Sequence, residues 1–600
     1  MTSGVWLPTT RKECERLGWD SLDVILFSGD AYVDHPTFGT AVIGRVLEAQ
    51  GLRVAIVPQP NWQDDLRDFR KLGRPNLYFG VSAGAMDSMV NRYTAGKRLR
   101  SEDAYTPDGR HSARPDYPSI VYTKALKSIF PDVPVVLGGI EASMRRLAHY
   151  DYWQNRIRQS ILLESGADWL VYGMGEKPMT AIADAIRRGH PEEIVLQPQV
   201  AFVCREIPEG EKPDDRVLNS FEKCLNDRKA QAENFRVIEE ESNRIHANRI
   251  IQKSGNSFVV INPPYEPMTT AELDAVYDLP FTRMPHPRYA GKRIPAFEMI
   301  RHSVTIHRGC FGGCAFCTIS AHQGKQIVSR SKESILREVK AITQMEDFKG
   351  HISDLGGPSA NMYAISGRDK TLCEKCRRPT CLHPKICPNL NTDLRPLIDL
   401  YRAASAVTGV KKISIGSGIR YDIILHRSGN PIIDRSHIDY ARELISKHVS
   451  GRLKVAPEHT SDRVLNLMRK PSFSQFNQFR KIFDDVNRDV GLKQQLIPYF
   501  ISSHPGCTEE DMAELAVITK RMDFHLEQIQ DFTPTPMTLS TEMFCTGINP
   551  YTMQEVYCAR DPRQKQAQRQ FFFWYEPSQR RMLTNELKRI GRADLIKELF

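Results

Sequence analysis

The sequence predicts an α/β protein with more than one domain. At 600 residues the chain is too long for one hydrophobic core, since domains average about 150 residues. The first two hundred residues alternate between short apolar runs and helical patterns, and the same alternation resumes after residue 299. Alternation of this kind is typical of parallel sheets covered by helices.

The N-terminal part, residues 1–213, is predicted to form a doubly wound, Rossmann-like sheet. Five runs are short, rich in β-branched or aromatic residues and bounded by Gly, Pro or Asp, as buried parallel strands are. They are LDVILF at 22–27, LRVAIVP at 52–58, NLYFGV at 76–81, VPVVLGG at 133–139 and DWLVYGM at 168–174. Such a sheet binds ligands in the loops at the carboxyl ends of its strands.

A charged helical connector is predicted over residues 214–293. Residues 214–250 are rich in Glu, Arg and Asn and contain few apolar residues, which favours one long exposed helix or two shorter ones. Prolines in the runs NPPYEPMT and PHPRYAGKRIP then break any helix. We therefore expect a second body at 294–560, followed by a basic, aromatic extension at 561–600.

The run HRGCFGGCAFC at 307–317 carries the strongest chemical signal in the chain. It places Cys310, Cys314 and Cys317 within eight residues of a Gly-rich loop, so that three thiolates can converge on one small inorganic cluster. A four-iron cluster held by three cysteines keeps one iron open for chemistry. The alternative is a zinc site completed by His307 or His302, which the asymmetric three-cysteine spacing disfavours.

This spacing, with Phe316 before the last cysteine, resembles the cluster loop of the radical S-adenosylmethionine (SAM) superfamily. The resemblance implies a 4Fe-4S cluster on the three cysteines, SAM bound at the open iron, and Phe316 beside the adenine. Gly356 and Gly357 resemble the turn that binds the SAM amino group through its backbone. Pro358 stands where that turn has an acid, so only the backbone role is carried over.

Two later segments extend the resemblance. ISIGSGIRYD at 413–422 resembles the strand near the SAM ribose and carboxylate, with Ser417 and Arg420 as candidates. A guanidinium can hold a carboxylate in a forked pair, and an ordinary salt bridge for Arg420 is an equal alternative. LKVAPEHTSDRVLNLMRKP at 453–471 resembles a strand segment of the methylthiotransferases, from which Glu458 or His459 would point inward. The second body is therefore expected to be a partial (β/α) TIM-type barrel.

Over nearly its whole length, including RGCFGGCAFC and DLGGPSANMY, the chain resembles the YgiQ-type family of radical SAM proteins. The resemblance implies reductive cleavage of SAM and a 5'-deoxyadenosyl radical that acts on an unidentified substrate. An external electron donor such as flavodoxin or ferredoxin is expected, and methyl or methylthio transfer are candidate reactions. The alternative function is a non-catalytic, metal-stabilised RNA- or protein-binding factor.

The N-terminal loops at 28–39, 138–146 and 173–178 are similar in order and placement to those of cobalamin-binding domains that precede many radical SAM domains. In that family the histidine of Asp-x-His-x-x-Gly ligates cobalt. Here Asp34, His35 and Gly39 are adjacent or overspaced. We therefore predict a cobalamin-like fold that does not bind cobalamin, in which His35 pairs with Asp34 or Asp30.

A second set of cysteines, Cys373, Cys376, Cys381 and Cys387, lies within fifteen residues in CEKCRRPTCLHPKICPN. Four cysteines led by a CxxC pair indicate a second metal site, with His383 able to replace one of them. Zinc and an iron-sulfur cluster suit these ligands equally well, and plain reduced thiols are the remaining alternative.

Composition and charge narrow the remaining possibilities. Seven of the thirteen cysteines lie between 310 and 387, which fits metal ligation in the reducing cytoplasm better than a disulfide framework. There is no apolar run of about 18 residues, so no membrane span is expected. The net charge of +10 and the run FFFWY at 571–575 support RNA binding only weakly, because buried aromatics explain that run better.

Overall fold

The computed structural model describes residues 5–600 and divides into two compact units. The first unit extends to Arg301 and also contains residues 321–324 and 374–377. The second unit contains the rest of the chain, from His302 to Phe600. None of the helices within residues 5–600 combines the length and the apolar character needed to cross a membrane.

The chain up to Arg301 alternates between strands and helices. Its strands are β1 (Val24–Ser28), β2 (Val54–Pro58), β3 (Tyr78–Ser82), β4 (Val135–Gly138), β5 (His149–Asp151), β6 (Arg156–Arg158), β7 (Trp169–Val171), β8 (Val200–Cys204), β9 (Arg216–Val217), β10 (Ile250–Ser254) and β11 (Ser257–Ile261). Its helices are α1 (Arg11–Arg16), α2 (Gly39–Ala49), α3 (Arg67–Arg70), α4 (Ser88–Arg92), α5 (Pro118–Ile129), α6 (Gly139–Met144), α7 (Ile161–Ser165), α8 (Glu176–Arg187), α9 (Phe221–Asn226), α10 (Arg228–Ser242), α11 (Thr270–Tyr277) and α12 (Pro295–Ile300).

Nine of these strands form one sheet in the order β2-β1-β3-β4-β7-β8-β11-β10-β9. Strands β2, β1, β3, β4 and β7 are parallel to one another, whereas β8 is antiparallel to β7 and β11, and β11 is antiparallel to β10. All five residues of β1 and of β2 are buried, which explains their continuous apolar sequences. The predicted α/β class with a doubly wound sheet is confirmed. Its order reverses between β1 and β3, where such sheets bind ligands.

The prediction of a separate connector at 214–293 was wrong, because these residues belong to the first unit. Strands β9, β10 and β11 of this segment extend the large sheet, and α10 buries Phe235 and Ile238 on one face. The buried face of α10 was not predicted because charged residues dominate its sequence. Strands β10 and β11 were not predicted because their apolar runs are short. The boundary also lies later than Ile294, because Ile294, Ala296 and Phe297 join the core of the first unit.

Beyond Arg301 the strands are β12 (Ser303–Thr305), β13 (His307–Arg308), β14 (Val328–Ser329), β15 (His351–Ile352), β16 (Asp354–Gly356), β17 (Lys412–Ile413), β18 (Arg452–Glu458), β19 (Gln495–Ser502) and β20 (Gln528–Asp531). The helices are α13 (Ile319–Gln323), α14 (Lys332–Thr343), α15 (Lys370–Glu374), α16 (Arg395–Ser405), α17 (Tyr421–Leu425), α18 (Pro431–Glu443), α19 (Asp462–Leu467), α20 (Phe473–Val490), α21 (Glu509–Arg521), α22 (Leu539–Thr546), α23 (Pro562–Gln570), α24 (Arg580–Arg589) and α25 (Ile596–Leu599).

The second unit is built from parallel strands joined by helices. β12 pairs with β16, β15 pairs with β17, and β18, β19 and β20 form a three-stranded sheet, all in parallel register. Helices α14, α16, α18, α20 and α21 lie between successive strands along the chain, as strand-helix units require. These are the elements of the predicted (β/α) arrangement.

Helix α20 shows how the sequence determines these elements. The Ser472 hydroxyl caps its first turn by accepting a hydrogen bond from the Ser474 amide, and Gly491 ends it with a left-handed φ of 73°. Between these ends Phe476, Phe479 and Phe483 recur at helical spacing and are buried. This aromatic face packs against Tyr421 of α17 and against Phe524.

The extension at 561–600 packs within the second unit. Phe571 and Phe572 are fully buried, and the indole N–H of Trp574 donates to Thr519 of α21 at 3.1 Å. Leu583 and Leu587 of α24 are also buried. The aromatic run thus supplies buried area, and Phe571 and Phe572 cannot act as surface platforms for RNA bases.

Candidate functional site

The three cysteines of the predicted cluster loop follow directly after β13. Gly309 and Gly313 have left-handed φ angles of 86° and 57°, which other residues rarely adopt, so the loop turns tightly at both positions. A side chain at Gly313 would also collide with Thr380 and with the carbonyl of Pro379. The glycines noted in the sequence are therefore required by backbone conformation and by close packing.

Hydrogen bonds from three other segments hold this loop. The Thr380 hydroxyl bonds the carbonyl oxygens of Phe311 at 3.1 Å and Gly312 at 2.8 Å. The Ala315 amide donates to Met468 O at 3.0 Å, and the Ser540 amide donates to Ala315 O at 2.8 Å. Contacts within the protein therefore fix the loop on both sides.

The thiols of the loop influence one another. Burial, and then the charges of Cys314 and Cys310, raise the pKa of Cys317 to about 12. Burial and then Cys314 likewise raise the pKa of Cys310. A metal centre must displace these protons, because the thiolate is the ligand. Three thiols on one short loop, with Cys314 raising the pKa of both Cys310 and Cys317, are the donor set that an iron-sulfur cluster needs, and the loop therefore fits one.

Within residues 5–600 no three His, Cys, Asp or Glu side chains already have the geometry of a metal site. The assignment of the cluster loop therefore depends on the donor set and on the groups around it. Cys310, Cys314 and Cys317 are all partly buried.

Arg420 lies beside the cluster loop, with its Nη1 atom 3.4 Å from the Sγ atom of Cys314. Its Nε and Nη2 atoms donate to both carboxylate oxygens of Asp422, at 2.9 and 2.6 Å. Asn361 fixes its backbone by accepting from the Arg420 amide and donating to its carbonyl. Arg420 therefore forms a salt bridge with Asp422, which was one of the two alternatives predicted for it. Its Nη1 atom faces Cys314.

Gly356, Ser417 and Asp354 come together at the end of β16. The Ser417 hydroxyl donates to Asp354 Oδ2 at 2.5 Å, and the Gly416 amide donates to Asp354 Oδ1 at 2.9 Å. A Cβ atom at Gly356 would collide with the Ser417 hydroxyl. Sequence reasoning missed Asp354, although it stands two residues before the glycine turn. Burial raises the pKa of its carboxyl group.

Gly357 lies against the ring of His307. A Cβ atom added to Gly357 would come within 2.5–2.8 Å of three ring atoms, so only glycine fits here. His307 is fully buried on β13. The sequence suggested His307 only as a zinc ligand, and its contact with the glycine turn was not predicted.

Phe316 packs edge-on against His504, with ring centroids 6.2 Å apart. The buried His504 ring is fixed by Ser540, whose hydroxyl lies 2.6 Å from Nε2, and by the Pro505 carbonyl, 2.8 Å from Nδ1. Phe316 itself remains partly exposed. Its ring orientation is therefore set by neighbours that the sequence did not reveal.

Glu458 occupies a strained position near the cysteines. It has a left-handed φ of 70° at a register shift between β18 and β19. The ammonium of Lys470 lies 3.5 Å from its carboxylate, and the Glu458 charge contributes to the raised pKa of Cys317. The neighbouring His459 instead faces Cys507, with 3.4 Å between Nε2 and Sγ. Strain of this kind concentrates at functional sites.

The second cysteine set is divided between the units. Cys376 belongs to the first unit, and Cys373, Cys381 and Cys387 belong to the second. The Cys381 amide donates to Phe311 O at 3.0 Å, which ties this segment to the cluster loop. The Nε2 atom of His383 lies 2.9 Å from Asn466 Oδ1, which leaves Nδ1 as the nitrogen that could replace a cysteine ligand.

In the first unit, the structure changes the predicted pairing of His35. Its Nδ1 atom lies 2.8 Å from the Thr37 hydroxyl. Asp34 instead accepts a forked pair from Arg45 at 3.1 and 2.6 Å, and Asp30 forms an ion pair with Arg114 at 2.9 Å. Both acids prefer a permanently charged guanidinium to a buried imidazole, since burial holds the pKa of His35 well below its usual value.

The family model described as "Radical SAM N-terminal" matches residues 6–303, and a domain of unknown function, DUF3362, matches residues 527–598. A UPF0313 protein from Bacteroides thetaiotaomicron is 65% identical, and the match covers 99% of this chain and 98% of that protein. The UPF0313 protein YgiQ from Escherichia coli is 42% identical, with 98% of this chain and 87% of that protein covered.

Solved structures of lower similarity were also found. The radical S-adenosylmethionine methyltransferase TsrM from Kitasatospora setae, with cobalamin and a 4Fe-4S cluster bound, has a TM-score of 0.46 and 14% identity, covering 86% of this chain and 77% of TsrM. The cobalamin-dependent S-adenosylmethionine radical enzyme OxsB, with aqua-cobalamin bound, has a TM-score of 0.47 and 11% identity, covering 88% of this chain and 55% of OxsB.

These structures correct the prediction that this chain does not bind cobalamin, which was wrong. The prediction depended on the spacing of Asp34, His35 and Gly39. The structures found to be similar carry cobalamin. A histidine motif concerns only one ligand of the metal, so its altered spacing does not exclude the cofactor.

Proposed function

The chain belongs to the UPF0313 family of YgiQ-type radical SAM proteins, and we propose that it is an enzyme that cleaves SAM at a 4Fe-4S cluster held by Cys310, Cys314 and Cys317. When bound, such a cluster supplies the electron that splits SAM into methionine and a 5'-deoxyadenosyl radical. The observation that supports this most directly is the arrangement of three mutually interacting thiols beside the Arg420 guanidinium.

The residues around the loop would hold and orient these groups. Arg420 places a positive charge next to Cys314, where it would offset the negative charge of a thiolate-bound cluster. Asp422 and Asn361 keep Arg420 in place. Because the guanidinium fork is already occupied, we propose that Arg420 positions the cysteine loop, and that it does not clamp the SAM carboxylate.

The SAM molecule would lie between the glycine turn and Phe316. A ligand would meet this turn through its backbone, because the Cβ side of Gly356 is filled by Ser417 and that of Gly357 by the His307 ring, with Ser417 held in place by Asp354. Phe316, fixed by His504, would provide an apolar wall for the adenine. Packing of this kind also excludes water from a reactive radical.

Further parts of the proposal concern the second metal and the partners. We propose that Cys373, Cys376, Cys381 and Cys387 bind zinc or a second iron-sulfur cluster. Flavodoxin or ferredoxin would supply the electron, and methyl or methylthio transfer to an unidentified substrate are the candidate net reactions. None of the thirteen cysteines, all within residues 5–600, forms a disulfide, which is compatible with the cytoplasm, where we place the protein.

Metal analysis tests the assignment of the cluster. After anaerobic reconstitution, the variant with Cys310, Cys314 and Cys317 all changed to alanine should contain about four fewer irons per chain than the wild type, the content of one 4Fe-4S cluster. Cys204→Ala, in the first unit, is the matched control and should retain the full iron content. Equal iron and sulfide in the triple variant and the control would reject the assignment.

A further inference from the structure

His307 is a buried histidine without hydrogen-bond partners. Its side chain is fully buried, and neither Nδ1 nor Nε2 has a partner among residues 5–600. Within this described part of the chain it is the only buried histidine for which both ring nitrogens lack one. Buried polar groups in native proteins nearly always have a partner, so a group with none indicates a missing ligand or water.

The position of the ring points to the glycine turn. The backbone of His307 is fixed by pairing with Ser329 of β14, and the Ile306 amide donates to Gly356 O at 2.8 Å. The ring itself packs directly on Gly357, where any side chain would displace it. The unsatisfied nitrogens are therefore held at the turn that the family resemblance assigns to the SAM amino group.

The chemistry of the ring suits an amino group. Burial lowers the pKa of His307 to about 3, so the imidazole is neutral at physiological pH. A neutral imidazole has one nitrogen that accepts a hydrogen bond and one that donates. An amino group offers N–H donors to the accepting nitrogen. Related turns have an acid at the third position, but here Pro358 provides neither a carboxylate nor a backbone N–H.

We propose that His307 accepts a hydrogen bond from the α-amino group of SAM at the Gly356–Gly357 turn, and that it thereby positions the amino acid end of SAM. This inference rests on the proposed function, because it requires that SAM binds at the turn. His307 takes over the role of the missing acid as a positioning residue.

Ligand binding to full-length, anaerobically reconstituted protein tests the inference by equilibrium dialysis. SAM is compared with 5'-methylthioadenosine, which keeps the adenosine and thioether but lacks the amino acid end. We expect His307→Leu to weaken SAM binding about tenfold, the usual effect of one lost hydrogen bond, and to leave the binding of 5'-methylthioadenosine within about twofold.

Two further variants separate a lost contact from a damaged fold. His307→Gln keeps a donor and an acceptor and should bind SAM within about threefold of the wild type. His448→Leu removes another buried histidine, which bonds Ile413 O, and should not discriminate between the two ligands. Iron content is measured for every variant, so that loss of the cluster is recognised.

The outcomes distinguish this inference from the proposed function. An equal loss of both ligands in His307→Leu would show that the ring only supports the fold. No loss of either would show that its partner is water, and both results overturn the inference. If the wild-type protein cleaves SAM while the selective loss is missing, only this inference fails. If the wild type binds no SAM, the proposed function fails with it.

Discussion

Changing Gly357 to alanine tests the structural core of the proposed site. The added Cβ atom would lie within 2.5–2.8 Å of three atoms of the His307 ring, which is fully buried and cannot move into solvent. Gly357 does not have a left-handed φ, so the substitution adds no backbone strain, and the whole effect comes from this collision. Overpacking of this kind costs about 1–3 kcal/mol of folding free energy.

The assay is calorimetric unfolding of Gly357→Ala beside Gly418→Ala. Gly418 is the matched control, because a Cβ atom there would have nothing within 4 Å. We expect the melting temperature of Gly357→Ala to fall by about 2–4 °C for each kcal/mol lost, and that of the control to remain near the wild-type value. The double variant Gly357→Ala/His307→Ala should recover the collision cost, since the ring is then absent.

The reasoning would be refuted if Gly357→Ala were as stable as Gly418→Ala, or if removing the His307 ring did not change the cost of the alanine. Either result would mean that the ring does not lie against the turn. The inference about His307 would then lose its geometric basis.

Three further predictions follow from other parts of the chain. Thr380→Val removes the hydroxyl that bonds Phe311 O and Gly312 O, so iron should be lost to a chelator several times faster than from the exposed-site control Thr371→Val. Folding raises the pKa of Asp30 from 3.8 to about 6, mainly through burial, so the folded state binds the proton more tightly. Stability should therefore fall by about 3 kcal/mol between about pH 3 and 7 in urea titrations, and Asp30→Asn should flatten this slope. An equal slope in the wild type and the variant would contradict the raised pKa. Changing Cys373, Cys376, Cys381 and Cys387 together to alanine should remove zinc or one cluster of iron, while the spectral change on adding SAM persists, and unchanged metal content would contradict a second site.

The sequence predicted the parallel strands of the first unit well, because β1 and β2 are buried on both faces and therefore read as continuous apolar runs. It failed for β10 and β11, which are antiparallel additions to the sheet. Their short runs follow the charged helix α10, and sheet partners more than 40 residues away in sequence, such as β8, leave no local trace.

The candidate site shows the same limit. The spacing of Cys310, Cys314 and Cys317 predicted the cluster loop because the three cysteines are local in sequence. Asp354 and Thr380 were missed, since each acts through a partner on another segment. A sequence motif also does not show which side chains pair with one another. The pairing of Arg420 with Asp422 became apparent only in the structure.

SAM cleavage tests the central claim most directly. Reconstituted wild-type protein and the variant Cys314→Ala are reduced with dithionite under anaerobic conditions, and 5'-deoxyadenosine is measured after SAM is added. We predict that the wild type forms 5'-deoxyadenosine and methionine in equal amounts and that Cys314→Ala forms neither. A wild-type protein that contains its full complement of iron and sulfide, yet forms no 5'-deoxyadenosine, would contradict the account and favour a metal-stabilised binding factor.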